Sequence, residues 1–230
     1  MLDKSTSTCC NCSMKSPLFN FLTDAELDTV TKSKKRVFFK AGEIIVKQDA
    51  PMSHVISFNQ GLAKVYIEGS NNRNFILQFI KPTQFLGGPG IFVDQIHYFS
   101  VAAIKDSAVC FIDIDIFKKI LRQNMNFAEA FMENQSRSTI YNYDRFISLN
   151  HKNMHGRIVD ALIYLHDHIF TDNDHRIEIS RQDIANLTGM SKDSAIRTLK
   201  ELCEDKILES DSQYIYIKDM GKLEKISEVS

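Results

Sequence analysis

The stretch Ser180–Leu202, SRQDIANLTGMSKDSAIRTLKEL, decides how the chain is read. Ser180 is placed to cap a helix with Asp183 in the reciprocal first-turn position, and Ile184, Ala185 and Leu187 give that helix an apolar side. Thr188-Gly189-Met190 then breaks it, because glycine takes up the positive φ that ends a helix at little cost. Ser191 caps a second helix whose inward stripe is expected to be Ala195, Ile196, Leu199 and Leu202. Two short helices across a tight turn make a helix-turn-helix pattern. The second helix keeps Lys192, Asp193, Ser194, Arg197 and Lys200 for its outer face, donors and acceptors suited to base edges and phosphates. An ordinary helical hairpin with a solvated face shares these local signals, so the flanking chain has to separate the two readings.

Downstream, Ile207-Leu208-Glu209-Ser210 and Tyr214-Ile215-Tyr216-Ile217 are β-rich runs around the polar turn Asp211-Ser212-Gln213; upstream, Ile177-Glu178-Ile179 is a third short strand. Strands on both sides make the helix pair a winged one. With these flanks in place, Ser180-Arg181-Gln182-Asp183-Ile184-Ala185, Gly189-Met190-Ser191-Lys192-Asp193-Ser194 and Arg197-Thr198-Leu199-Lys200 resemble the C-terminal domain of the cyclic-AMP receptor protein and fumarate-nitrate regulator (Crp/Fnr) family.

The first half has a different texture. From Lys35 to about Phe117, strand-like runs recur between glycine turns: 36–39, 43–46, 54–58, 63–67, 75–80, 100–103 and 109–112, punctuated by Gly42, Gly61, Gly69 and Gly87-Gly88-Pro89-Gly90. That spacing is one of an all-β roll, barrel or sandwich. Taken with the C-terminal half, Gly42-Glu43, Asn59-Gln60-Gly61 and Gln84-Phe85-Leu86-Gly87-Gly88-Pro89-Gly90-Ile91-Phe92 resemble the cyclic-nucleotide-binding β-roll of the same family, so the likeness runs from about Pro17 to Ile217. The expected fold class is α+β: a Cys-containing tail at 1–16, a β-roll sensor at 17–124, a dimerisation helix and hinge at 125–150, and a winged helix-turn-helix at 151–230.

The resemblance implies an effector pocket at Gly87, Gly88, Gly90, Ile91, Tyr98, Phe99 and Ser100, and here the sequence departs from the cyclic-AMP pattern. Gly88 stands where those members carry the Glu that accepts from the ribose, and His97-Tyr98-Phe99-Ser100 holds no arginine for the cyclic phosphate. A buried phosphate needs an opposite charge with several donors, which a guanidinium supplies bidentately and a mostly neutral histidine does not. Cyclic AMP is therefore not expected as the effector.

Five cysteines raise the family's other sensor chemistry. Cys9, Cys10, Cys12 and Cys110 reach the count of four thiolates that an iron-sulfur cluster needs, with Cys110 on a strand where the resemblance places a fourth ligand. The crowded spacing of the first three, and Pro17 where a third ligand is expected, argue against a cluster in favour of a thiol-bearing tail and a core Cys110. Cys203, beside Leu199 and Leu202, reads as core.

Asn126 to about Leu149 lacks Gly and Pro and carries an apolar stripe of Met132, Ile140, Tyr143 and Ile147, extended by Met154 and flanked by Phe127, Phe131 and Phe146. This is too much apolar surface for one domain, and the resemblance implies a two-fold dimer that sets two recognition helices one DNA turn apart on a palindrome, with RNA polymerase as a further partner. Asn150-His151-Lys152-Asn153 is the expected hinge, and Ile158, Ala161, Leu162 and Leu165 the inward face of the helix after it.

Within the interface, Arg197 is assigned to a guanine edge, Asp193 to a cytosine amino group, Lys192 to a guanine or phosphate, and Ser180 and Arg181 to the phosphate backbone; Ser191, Ser194 and Lys200 complete the set. The formal net charge of −1 gives no global pull on DNA, so affinity must come from this local cluster. The start of the chain, with Asp3 and Lys4 and no long apolar run, reads as neither signal peptide nor membrane span, which implies a cytoplasmic protein. The functional reading is a sequence-specific DNA-binding regulator. The alternatives are a ligand-binding module acting through protein partners and an iron-sulfur redox or oxygen sensor; no catalytic constellation suggests an enzyme.

Overall fold

A computed structural model describes residue 9 and residues 12–70, 73–171 and 176–230. The chain divides into two compact units, one of residues 1–68 and 78–138, the other of residues 69–77 and 139–230.

The first half of the chain forms two four-stranded sheets, whose strand Phe75–Ile80 starts in residues 69–77 of the second unit and ends in the first. One runs in the order β1 (Lys34–Phe39), β8 (Ser107–Asp113), β3 (His54–Gln60), β6 (Phe85–Leu86); the other runs β2 (Ile44–Val46), β7 (Ser100–Ala103), β4 (Ala63–Ile67), β5 (Phe75–Ile80). Every strand-like run of the sequence falls on a strand, while β6 is an addition: two residues beside the glycine-rich segment that pair with Ile56 and Ser57. Gly61 shows why glycine punctuates the roll. Its φ is +92°, and a Cβ there would stand 2.5 Å from the Asp106 carbonyl oxygen. Gly61→Ala is expected to cost about 2–3 kcal/mol, read as a lowered denaturation midpoint, because backbone strain and a contact with immobile backbone add together.

Two helices outside the strand runs close the first unit. α1 (Asp24–Ser33) starts at a capping box in which the Thr23 N–H donates to Glu26 Oε2 at 2.8 Å and the Glu26 N–H to Thr23 Oγ1 at 3.3 Å. α2 (Ile114–Gln123) starts at Asp113, whose Oδ1 accepts from Asp115 N and Ile116 N. Their buried faces join a phenylalanine cluster: Phe85 stacks on Phe117 at 5.1 Å, and Phe127 and Phe131 meet Phe117 edge-on at 5.6 and 5.3 Å. Phe127 and Phe131 come from the first turns of α3 (Met125–His151), a 27-residue helix, and are spent on the core, whereas Phe146 is exposed.

In the second unit α3 ends at His151, and Asn153 caps α4 (Met154–Tyr164) by accepting from Gly156 N at 3.1 Å. Met154 therefore opens α4 and is not part of the α3 stripe. Ile158, Ala161, Leu162 and Leu165 are buried as expected, and the chain leaves α4 through a π-helical turn, Leu165–Ile169. Then follow β9 (Arg176–Glu178), α5 (Arg181–Thr188), α6 (Lys192–Glu204), β10 (Leu208–Ser210), β11 (Tyr214–Ile217) and α7 (Met220–Val229). The strands form an antiparallel sheet in the order β10, β11, β9.

Candidate nucleic-acid interface

Local chemistry sets the α5–α6 geometry. Ser180 Oγ accepts from Asp183 N at 3.0 Å and donates to Asp183 Oδ2 at 2.7 Å, closing the start of α5. Gly189 ends α5 at φ +65° with its N–H on Ala185 O. A Cβ at Gly189 would meet nothing closer than 3.6 Å, so the backbone angle is what asks for glycine there. Ser191 Oγ accepts from Ser194 N at 3.1 Å and donates to Ser194 Oγ at 2.9 Å, which opens α6.

The face α6 buries is Ala195, Thr198, Leu199 and Leu202. Ile196, expected on the inward stripe, is 42% exposed; Thr198 takes the place because it stands three residues after Ala195 and four before Leu202. Lys192, Asp193, Arg197 and Lys200 are all exposed on the opposite side. Lys200 lies 3.6 Å from Glu204, whereas the side chains of Lys192, Asp193 and Arg197 make no ion pair or hydrogen bond among the described residues. One face thus holds unengaged polar side chains beside a serine-capped helix start.

Ser180 and Arg181 are occupied differently from expectation. The Ser180 hydroxyl is the α5 cap, and the Arg181 guanidinium is turned onto the wing, its Nη2 donating to the Asp211 carbonyl at 2.7 Å and more weakly to that of Tyr214 at 3.4 Å. Asp211 Oδ1 in turn accepts from the N–H groups of Gln213 and Tyr214, each at 2.7 Å. Arg181 therefore braces the wing turn; burial pulls its pKa down. The Arg176 guanidinium lies 4.8 Å from the Tyr214 ring centroid, stiffening the same hairpin. Cys203 is half-buried, with Sγ 3.6 Å from Ser210 Oγ, and is not a core residue.

Of the seven residues assigned to an effector pocket, Tyr98 is exposed and the other six are buried. Gly88 packs against Met52 and Phe99, and a Cβ there would already be 3.0 Å from Met52 Cε, so apolar side chains occupy the place of the missing carboxylate. Gly87 faces Ile91 and Phe131, Gly90 and Ile91 are buried in a short 3₁₀ turn, and Tyr98 is exposed with its hydroxyl on Asp94 at 2.6 Å. Ser100 Oγ donates to Glu68 Oε1 at 2.5 Å, and Lys47 and Ser100 together hold the Glu68 carboxyl below its ordinary range. Burial lowers the His97 pKa, which makes the ring a poorer source of positive charge.

Cys9 and Cys110 are buried, Cys9 N donates to Thr31 Oγ1 at 3.0 Å, and Asn59 Nδ2 reaches Cys12 Sγ at 4.0 Å; Cys10 lies outside the described residues. Burial pushes the Cys110 thiol up, with Lys34 and Arg36 acting against that shift and Cys9 and Cys12 adding to it. Among the described residues no group of three or more His, Cys, Asp or Glu is spaced to hold a metal ion.

On α3, Met132, Ile140, Tyr143 and Ile147 are 56–65% exposed. None of the helices is long and apolar enough to cross a membrane, among the described residues.

A β-roll followed by a long helix and a winged helix-turn-helix with an unengaged polar face defines the class: a DNA-binding transcription regulator with a β-roll N-terminal half. Family models agree with both halves, the cyclic nucleotide-binding domain matching residues 36–124 and the Crp-like helix-turn-helix domain residues 156–226. The chain belongs to the Crp/Fnr family of transcription regulators. It is similar to Electron transport regulator A of Shewanella oneidensis, 24% identical over 94% of this chain and 88% of that protein, and to the Anaerobic regulatory protein of Pasteurella multocida, 25% identical over 95% and 82%. Among solved structures, FixK2 of Bradyrhizobium japonicum shares the fold with a TM-score of 0.76 at 19% identity, covering 86% of this chain and 98% of that one.

Proposed function

We propose that this regulator acts in the cytoplasm as a homodimer paired along α3, placing two α6 helices in successive major grooves of a palindromic site, and that it works on RNA polymerase there without catalysing a reaction. The observation that carries this reading is the exposed stripe of Met132, Ile140, Tyr143 and Ile147 on α3, with Phe146 beside it. Large apolar groups repeated along one helix mark an interface, and a two-fold axis gives each half-site the same reader. On each α6, Arg197 would pair with guanine O6 and N7, Asp193 would accept from a cytosine amino group, and Lys192 would meet a base or phosphate. With Arg181 committed to the wing, Ser191, Ser194 and Lys200 would carry more of the phosphate contact. An effector that prefers one arrangement of the dimer would shift its population toward DNA binding.

We also propose that neither cyclic AMP nor an iron-sulfur cluster is that effector. This reading is supported by Gly88 packing against Met52 and Phe99, by the burial that lowers the His97 pKa, and by the crowded spacing of Cys9, Cys10 and Cys12 with Pro17 where a third ligand is expected. Cyclic AMP at millimolar concentration is expected to leave both the melting temperature and DNA affinity unchanged; saturable binding by calorimetry at micromolar affinity would overturn the first half. Protein purified without oxygen is expected to contain no iron and no acid-labile sulfide, and a brown, air-bleached preparation would overturn the second.

A further inference from the structure

Within the second unit, α3, α4, α5 and α7 line a half-open cavity of about 300 Å³, at the lower end of the range for small-molecule sites. Its charge is unevenly balanced. Arg145 enters from α3, with Nη1 donating to the carbonyl oxygens of Ile76 at 2.7 Å and Leu77 at 2.5 Å, and Nη2 to that of Leu187. The rings of Phe75 and Tyr141 flank it at 5.1 and 6.0 Å. No carboxylate pairs with Arg145 among the described residues. A mostly buried guanidinium held by carbonyl dipoles, ring faces and the neighbouring Tyr141 hydroxyl has, among the described residues, no carboxylate to balance its charge.

The acid across the cavity cannot supply the balance. Asp160 already takes Lys152 Nζ at 2.8 Å, Ser148 Oγ at 2.5 Å and Ser227 Oγ at 2.6 Å. Asp144 also lines the cavity but is exposed, and Arg157 adds a second guanidinium whose Nε donates to the Lys152 carbonyl at 3.0 Å. The rest of one wall is flat. Tyr141 and Tyr164 lie 5.1 Å apart, and His168 stands 5.7 Å from Tyr164 because the chain passes through the π-turn, a rare conformation that recurs at functional sites.

We propose that this cavity is a binding site for a planar organic anion, an aromatic or heteroaromatic monocarboxylate, held by Arg145 and Arg157 with its ring against Tyr164 and His168. The same guanidinium holds the Leu187 carbonyl in the last turn of α5, so an anion competing for Arg145 loosens the helix that leads into the recognition helix. Ligand and DNA are then thermodynamically linked. The linkage rests on the DNA-binding reading; the site itself does not.

The test is calorimetry and thermal unfolding of the purified full chain with benzoate, salicylate and indole-3-carboxylate, and with benzamide as the neutral control. At least one carboxylate is expected to bind saturably, one per chain, and to raise the melting temperature, with benzamide at least tenfold weaker. Ala161→Leu, which fills the cavity and removes no hydrogen bond, is expected to abolish binding while keeping the circular dichroism spectrum of the parent. Arg145→Gln is expected to weaken binding at least tenfold; if that variant does not fold, Ala161→Leu decides alone. Failure of all three carboxylates to bind, equal binding of benzamide, or parent-like binding by Ala161→Leu overturns the site. Unchanged DNA affinity at saturating carboxylate overturns the linkage and leaves the site standing.

Discussion

Replacing Ile140 and Tyr143 together with glutamate is expected to turn the protein into a monomer that no longer binds a palindrome. Both side chains are more than half exposed on α3, and in a two-fold dimer the double substitution strips four apolar groups from one seam. Each contributes roughly 1.5–3 kcal/mol when buried, so dimer affinity should fall by at least about 10⁴-fold, before the cost of burying carboxylates is added. Sedimentation velocity reads the result directly, and circular dichroism checks that the fold survives, since neither residue belongs to the monomer core. A sedimentation coefficient equal to that of the parent would reject the seam.

Arg197→Ala is expected to lose about 1–3 kcal/mol on the cognate site, roughly a five- to 150-fold weaker affinity, and to relax preference at one base pair of each half-site. The reason is positional: Arg197 is exposed on α6 with its guanidinium unengaged among the described residues, and no folded-state contact is lost with it. Arg181→Ala should behave differently. Its guanidinium braces the Asp211 turn, so its removal should loosen the wing and lower affinity for cognate and scrambled DNA alike while leaving the slope of log affinity against log salt unchanged. A slope reduced by about one in Arg181→Ala would show that the guanidinium leaves the wing for a phosphate when DNA binds.

These two arginines show where sequence reading succeeds and where it stops. Caps and turns are local, so Ser180 with Asp183, Gly189 and Ser191 could be placed from residue type and spacing, and the strand runs between glycines appear as strands. The Thr23-x-x-Glu26 capping box was legible on the same terms as the start of α1, yet it precedes a helix whose apolar face is too sparse to stand out. Long flexible side chains are another matter. Arg181 and Arg197 look alike in sequence, and only the arrival of the Asp211 turn, thirty residues on, decides that one is engaged and the other is not. Ile196 misleads for a related reason: hydrophobic character suggests an inward position, but helical spacing from Ala195 to Leu202 selects Thr198. The cavity around Arg145 was not legible at all, because its walls come from segments of α3, α4, α5 and α7 that share no periodic signal.

The central claim is that two copies of α6, related by a two-fold axis, read DNA. Selection from a random double-stranded DNA pool with the purified full chain, followed by sequencing of the bound fraction, tests it most directly. The expected outcome is an enriched inverted repeat whose half-site centres lie about one helical turn, roughly 10–10.5 base pairs, apart, with a strongly preferred G·C pair in each half that disappears when Arg197→Ala is selected in parallel. Enrichment of a single unrepeated element, of direct repeats, or of no sequence at all would contradict it.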